Sequence, residues 1–189
     1  ANLRGFFIFE KKLMRRIVVV LIITFFSFGC ESELKQFTKL NPKDTSIDFV
    51  NKLYETNSRN YFTYPYMYLG GGVAVGDFNN DGLEDLFFSG NMVPNKLYLN
   101  QGDFQFKDIS ESAGIQGDNR WYSGVSLIDI NKDGFLDIYI AVGGENEPNN
   151  NVLYINNQNN TFSEKAEAYG IDDDGYSMHS TFFDYDKDG

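Results

Sequence analysis

Residues 77–85 read Asp-Phe-Asn-Asn-Asp-Gly-Leu-Glu-Asp, and residues 129–137 read Asp-Ile-Asn-Lys-Asp-Gly-Phe-Leu-Asp. Both place oxygen-bearing side chains at positions 1, 3, 5 and 9: Asp77, Asn79, Asp81 and Asp85, then Asp129, Asn131, Asp133 and Asp137. Position 6 is Gly82 or Gly134, where the chain can turn sharply because no Cβ opposes an unusual backbone angle. Three carboxylates and an amide gathered at one turn repel each other unless a cation sits among them. Hard oxygen donors in this number suit Ca2+ best and Mg2+ second. The position-7 carbonyls, on Leu83 and Phe135, would complete the shells, one ion per complete loop. A third copy begins with Asp184, Asp186, Asp188 and Gly189. Spacings of 52 and then 55 residues mark an internal repeat.

An EF-hand is excluded. Its loop needs a bidentate Glu at position 12 and helices on both sides. Position 12 is Phe88 in the first copy and Ile140 in the second. The flanks are Val73-Ala-Val-Gly and Leu86-Phe-Phe, then Val125-Ser-Leu-Ile and Ile138-Tyr-Ile-Ala-Val, runs that favour strands. The loop is therefore expected to clamp a β-hairpin, with Asp85 or Asp137 as closing carboxylate. The alternative is a polar turn without metal, which on sequence grounds has no use for the Asp at position 9.

Downstream the copies stay in step. Lys96-Leu-Tyr-Leu-Asn matches Val152-Leu-Tyr-Ile-Asn, Phe106 matches Phe162 and Gly114-Ile115 matches Gly170-Ile171, all at a shift of 56. Each unit reads strand, metal loop, strand, variable loop, strand, short turn, strand. Gln101-Gly102-Asp103 and Asn157–Asn160 are the short turns. Four antiparallel strands in about 50 residues make one propeller blade. The variable loops are Ser89–Asn95 and Gly143–Asn151; the stretches that contain them differ by four residues on a fixed frame, ten from Asp85 to Asn95 against fourteen from Asp137 to Asn151, and such loops usually carry recognition.

These units resemble the FG-GAP/VCBS repeats of integrin α-subunit propellers, and most of all bacterial surface lipoproteins that pair such repeats with an ASPIC/UnbV domain. The resemblance covers residues 45–189. It implies an all-β fold, a Ca2+-stapled propeller of four-stranded blades used for binding, with about two and a half blades present. The chain stops at position 6 of the third loop, and a propeller must close to protect its edges, so a longer protein is expected.

The chain has 189 residues with a net charge of −11. Removing residues 1–29 leaves eleven basic and twenty-six acidic residues, a net of −15. Such a surface repels nucleic acid and anionic membranes. Twelve Tyr, eighteen Phe and eighteen Gly suit β structure rich in turns.

Met14-Arg-Arg precedes an apolar run, Ile17–Phe28, then Gly29 and Cys30. This pattern predicts a signal peptide, and the run is too short to cross about 30 Å of hydrocarbon. Ser-Phe-Gly-Cys resembles a bacterial lipobox, with Phe28 a departure, which implies lipid attachment at Cys30. The alternative is a plain secreted protein with an incidental cysteine. Glu31-Ser-Glu resembles the acidic tag of lipoproteins exported to the cell surface in the Bacteroidetes. The expected organisation is an upstream extension at 1–13, a signal peptide at 14–29, a tether at 30–44 and the repeats at 45–189. The expected location is the outer membrane, at the cell surface. Asn41-Pro-Lys-Asp marks a turn, and the alternation in Thr45–Asn51 suits a first strand.

No catalytic constellation stands out. His179 is the single histidine and no Gly-x-Ser-x-Gly elbow occurs. Asp172-Asp-Asp-Gly is a second cation candidate or a solvated acidic turn. Trp121-Tyr122 with Tyr64, Tyr66 and Tyr68 could stack on sugars or fill a core. The expected function is a cell-surface binding module for a protein or carbohydrate ligand. The alternative, the propeller of a polysaccharide lyase, would need a basic clamp, for which the mature region offers Arg59 and Arg120.

Overall fold

The computed structural model describes residues 37–118, 120–144 and 148–187. Residues 1–39 and 40–189 form two compact units, and every element below belongs to the second. Of the first, residues 37–39 are described and all are exposed.

Among the described residues eight strands form where β-branched and aromatic residues run between turns: β1 Val73–Gly76, β2 Asp85–Phe88, β3 Lys96–Asn100, β4 Phe106–Asp108, β5 Tyr122–Ile128, β6 Asp137–Val142, β7 Val152–Asn156 and β8 Phe162–Glu164. They pair in chain order into two antiparallel sheets, β1-β2-β3-β4 and β5-β6-β7-β8. Neither sheet closes on itself. The fold is thus mostly β, as two copies of one meander, with the strand and loop order expected from the repeat. Among the described residues there are also four single helical turns: α1 Pro42–Thr45 and a 3-10 turn Pro65–Tyr68 before β1, then α2 Ser110–Ala113 and α3 Ala166–Tyr169. The last two follow β4 and β8 at equivalent places in the two repeats.

The core lies between the sheets because one face of each is apolar. Ala74, Phe87 and Leu97 are register neighbours across β1–β3. They pack in one cluster with Val125, Ile138, Ile140, Val152 and Tyr154 of the second sheet. Val125 opposes Ile140, which opposes Val152, so these too share one face. Phe78 and Phe162 meet edge to face at 6.2 Å within the same cluster. Strand β6 is buried along its whole length, because Tyr139, on its other face, packs with Leu153, Ala166 and Phe182. The first sheet differs: Val73 and Val75, on its outer face, are exposed.

One local expectation fails. Thr45–Asn51 forms no strand: Thr45 ends α1, Ser46 is left-handed at φ 61°, and the segment after it joins no ladder. Its alternation has another cause, since Phe49 stacks on Phe88 of the first sheet at 4.9 Å. Residues 176–183, ahead of the third loop, also join no ladder. They lie along the β5–β6 pair, with Gly124 of β5 donating its amide to the Met178 carbonyl at 2.9 Å and Ser177 donating to Val142 of β6 at 3.0 Å.

Candidate metal centre

Loop 1 joins β1 to β2 and loop 2 joins β5 to β6, each closed by a strand pair, Gly76 opposite Asp85 and Ile128 opposite Asp137. The two loops match bond for bond. In loop 1, Asp77 accepts the amides of Asp81 and Gly82 at 3.1 and 2.8 Å, and Asp81 accepts the Leu83 amide at 2.8 Å. In loop 2, Asp129 accepts the amides of Asp133 and Gly134 at 3.0 and 2.8 Å, and Asp133 accepts the Phe135 amide at 2.9 Å. The position-3 side chains, Asn79 and Asn131, each donate to the position-5 aspartate at 2.9 Å. Gly82 and Gly134 have φ of 86° and 87°, a left-handed turn that costs any other residue type about 1–2 kcal/mol. Position 4 is left-handed as well, Asn80 and Lys132 both at 57°.

Asp85 and Asp137 are fully buried, at 0% exposure. Asp85 accepts the Phe78 amide at 3.0 Å and the Asn100 amide at 2.7 Å. Asp137 accepts the Ile130 amide at 3.1 Å and the Asn156 amide at 2.8 Å. Each carboxylate thus ties its loop to the third strand of its own sheet. This corrects the premise that a metal-free turn has no use for the position-9 aspartate: it is a hydrogen-bonded staple in its own right. Burial pushes the Asp85 carboxyl up to about 6, with the charges of Asp81 and Asp77 adding to the rise against the two amide bonds. Asp137 is raised for the same reasons, burial first. Among the described residues no cationic side chain meets either group; the ion pairs Lys96–Asp108 and Arg120–Asp118 lie elsewhere.

The donor set fits a hard divalent cation by its chemistry. Each loop has three carboxylates, one amide and a backbone carbonyl at position 7, and its buried carboxylate meets no counter-charge among the described residues. A carboxylate has about four acceptor directions, so two amide bonds leave Asp85 and Asp137 able to accept more. Among the described residues, however, no three acidic or imidazole groups are drawn into a metal cage. The position-1 and position-5 carboxylates turn onto the loop's own amides. In the third copy Asp184 and Asp186 are exposed, Asp184 accepts the Lys187 amide at 2.7 Å, and Lys187 repeats the left-handed position 4 at 63°. Asp188, Cys30 and the predicted signal peptide lie outside the described residues.

Comparison with known families finds the FG-GAP-like repeat on residues 77–140 and again on 129–189. Both matches begin on the position-1 aspartate of a loop. The chain belongs to the FG-GAP-like repeat family. Cartilage acidic protein 1 from Xenopus tropicalis is 39% identical over 90 residues, 47% of this chain and 14% of that protein. The human protein of that name is 40% identical over 72 residues, 38% of this chain and 11% of its own length. Integrin alpha-8 from Gallus gallus is 30% identical over 103 residues, 46% of this chain and 10% of its own. The chain spans at most about a seventh of these relatives.

Within these FG-GAP-like repeats, the sequence reading missed three asparagines. Asn100 donates its side chain to the Glu84 carbonyl at 2.9 Å while its backbone holds Asp85. Asn156 stands at the equivalent place in the second repeat and donates to the Phe78 carbonyl at 2.8 Å. Asn80 donates to the Gly134 carbonyl at 3.0 Å. The signal was present, since Leu-Tyr-Leu-Asn and Leu-Tyr-Ile-Asn end on the first two; the register that puts those amides beside the loops was not.

Other candidates in the FG-GAP-like chain resolve toward structure. Trp121 and Tyr64 are buried and meet edge to face at 5.2 Å, so they are core. Tyr66 and Tyr68 remain exposed. Arg59 lies over the Trp121 ring at 5.8 Å, and Arg120 pairs with Asp118 at 3.3 Å, so neither is a bare substrate clamp. The backbone of Asp172–Asp174 is held by the variable loop: Asn150 donates to the Asp172 carbonyl at 2.9 Å, the Asn151 amide to Asp173 at 2.9 Å and Asn149 to Asp174 at 2.6 Å. His179 is exposed.

Proposed function

We infer that this chain is part of a calcium-stapled β-propeller that serves as a cell-surface binding module for a protein or glycan ligand. The observation that carries the reading is the duplicated loop with its buried closing aspartate. Asp85 and Asp137 are both buried, both raised in pKa and both without a cationic partner among the described residues. Asp77, Asn79, Asp81, Asp85 and the Leu83 carbonyl would hold one Ca2+. Asp129, Asn131, Asp133, Asp137 and the Phe135 carbonyl would hold a second, and Asp184 and Asp186 would begin a third site. The ion would supply positive charge among three carboxylates and stiffen the hairpin; it has no chemical step to perform.

Support for the propeller comes from two like meanders stacked face to face. The exposed valines on the outer face of the first sheet give a further blade an apolar surface to meet. Membership of the FG-GAP-like family, with similarity to an integrin alpha chain, supports ligand binding. The variable loops Ser89–Asn95 and Gly143–Asn151 are the places for that contact. The lipobox-like sequence supports export as a bacterial lipoprotein, anchored to the outer membrane through Cys30. The acidic balance argues against nucleic acid as a partner.

Thermal melting tests the calcium reading. Ca2+ at about 10⁻⁴–10⁻³ M, the range of extracellular modules, should raise Tm, and EDTA should lower it. A melting curve indifferent to both sinks the reading. Membrane fractionation tests the anchor: Cys30→Ala should free the protein from membranes, and unchanged retention refutes lipid attachment.

A further inference from the structure

Asn156 touches both loops. Its backbone amide donates to Asp137 of loop 2 at 2.8 Å, and its side-chain amide donates to the Phe78 carbonyl of loop 1 at 2.8 Å and to Leu136 at 3.3 Å. The residue is 2% exposed, so water does not replace these bonds. Phe78 is gripped from its other side too, because its own amide donates to Asp85 at 3.0 Å. An unbroken path therefore runs from the closing carboxylate of loop 1, through Phe78 and Asn156, to the closing carboxylate of loop 2. The Asn156 side-chain oxygen is held in turn by the Gln158 amide at 2.9 Å, which fixes the amide's orientation. A second link lies at the surface: Asn80 of loop 1 donates to the Gly134 carbonyl at 3.0 Å, and the Gly134 amide donates to Asp129 of loop 2 at 2.8 Å.

We propose that Asn156, assisted by Asn80, couples the two loops, so that a divalent cation bound in one loop tightens the other. The proposal rests on the calcium reading above. Both sites bias one shared element. A cation on Asp77, Asn79 and Asp85 would fix residues 77–79 and so fix the Phe78 carbonyl. That carbonyl orders the Asn156 side chain, and the same residue's amide aims Asp137. Reciprocity requires loop 2 to act on loop 1 by the same factor. Asn100 makes the contrast: it holds Asp85 in the same manner, but its side chain donates to Glu84 of its own repeat and reaches no second loop.

The test is isothermal titration of the full chain with CaCl2, carried out with Asp184→Ala in every sample to silence the third copy. The two ions should bind with positive cooperativity, the second about five-fold or more tighter than independent loops would give. Asp133→Ala, which disables loop 2, should weaken loop 1 by that factor. In an Asn156→Ala background, Asp133→Ala should weaken loop 1 by a smaller factor, and with Asn80→Gly added it should leave loop 1 unchanged, a result that general destabilisation would not produce. Asn80→Gly supplies a variant with little folding cost, since Asn80 is exposed and left-handed, a conformation glycine accepts. It should reduce the cooperativity, and it decides the matter if Asn156→Ala does not fold. Independent binding in the parent chain, or undiminished cooperativity in the variants, overturns the coupling and leaves the calcium reading intact. No Ca2+ binding at all overturns both.

Discussion

Asp85→Ala and Asp81→Ala separate a staple made by hydrogen bonds from a ligand that waits for an ion. Asp85 is fully buried and satisfies two amides, one of them on Phe78, itself 2% exposed. A buried donor left unmade costs about 1–3 kcal/mol, so two would cost up to about 6 kcal/mol. Burying the carboxylate is itself unfavourable, as its raised pKa records, and its removal relieves that cost. The net expectation for Asp85→Ala in EDTA is a loss of ~2–4 kcal/mol. Asp81 is exposed, and water can replace its bonds to Leu83 and Asn79, so Asp81→Ala in EDTA should lose at most ~0.5 kcal/mol. At about 2–4 °C per kcal/mol for a chain of this size, Asp85→Ala should melt about 5–15 °C lower and Asp81→Ala within about 2 °C of the parent. Circular dichroism melting of the full chain in EDTA reads both. In Ca2+ the ranking should compress, because each variant then also loses a ligand. Equal melting temperatures for the two variants in EDTA would refute the staple.

Further tests address the frame that carries the loops. Phe87 is fully buried between the sheets, so Phe87→Ala should lose about 3–5 kcal/mol by urea unfolding, and a loss below ~1 kcal/mol would mean the sheets do not pack there. Gly71→Ala would set a Cβ 2.1 Å from the Ser89 carbonyl oxygen, whereas at Gly82 nothing lies within 4 Å and the cost comes from a φ of 86° alone. Gly71→Ala should therefore shift backbone and destabilise by more than ~2 kcal/mol, against about 1–2 kcal/mol for Gly82→Ala; the reverse order by thermal melting would refute the close approach. Asn100→Ala should destabilise less than Asn156→Ala in EDTA, because its side chain makes no bond across the repeats and lies only half-buried.

The amino-acid sequence by itself determined the repeat, the approximate places of the eight strands, the two complete loops and the family, because these depend on spacing along one chain. Glycine at position 6, oxygen at positions 1, 3, 5 and 9 and β-branched flanks dictate a clamped hairpin wherever they occur. Order within each four-stranded sheet was legible for the same reason: short turns leave antiparallel neighbours little choice. Only the tertiary structure decided what depends on distance across the fold. It buried Trp121 and Tyr64 in a core while leaving Tyr66 and Tyr68 outside. Phe49 came to lie on Phe88 rather than in a strand. The position-9 aspartates acquired a second duty, since Asn100 and Asn156 reach them only after the third strand of each sheet has folded back. Asn156 also stands beside Phe78, 78 residues earlier in the chain, a pairing that no local spacing encodes because it is made by the packing of one sheet against the other.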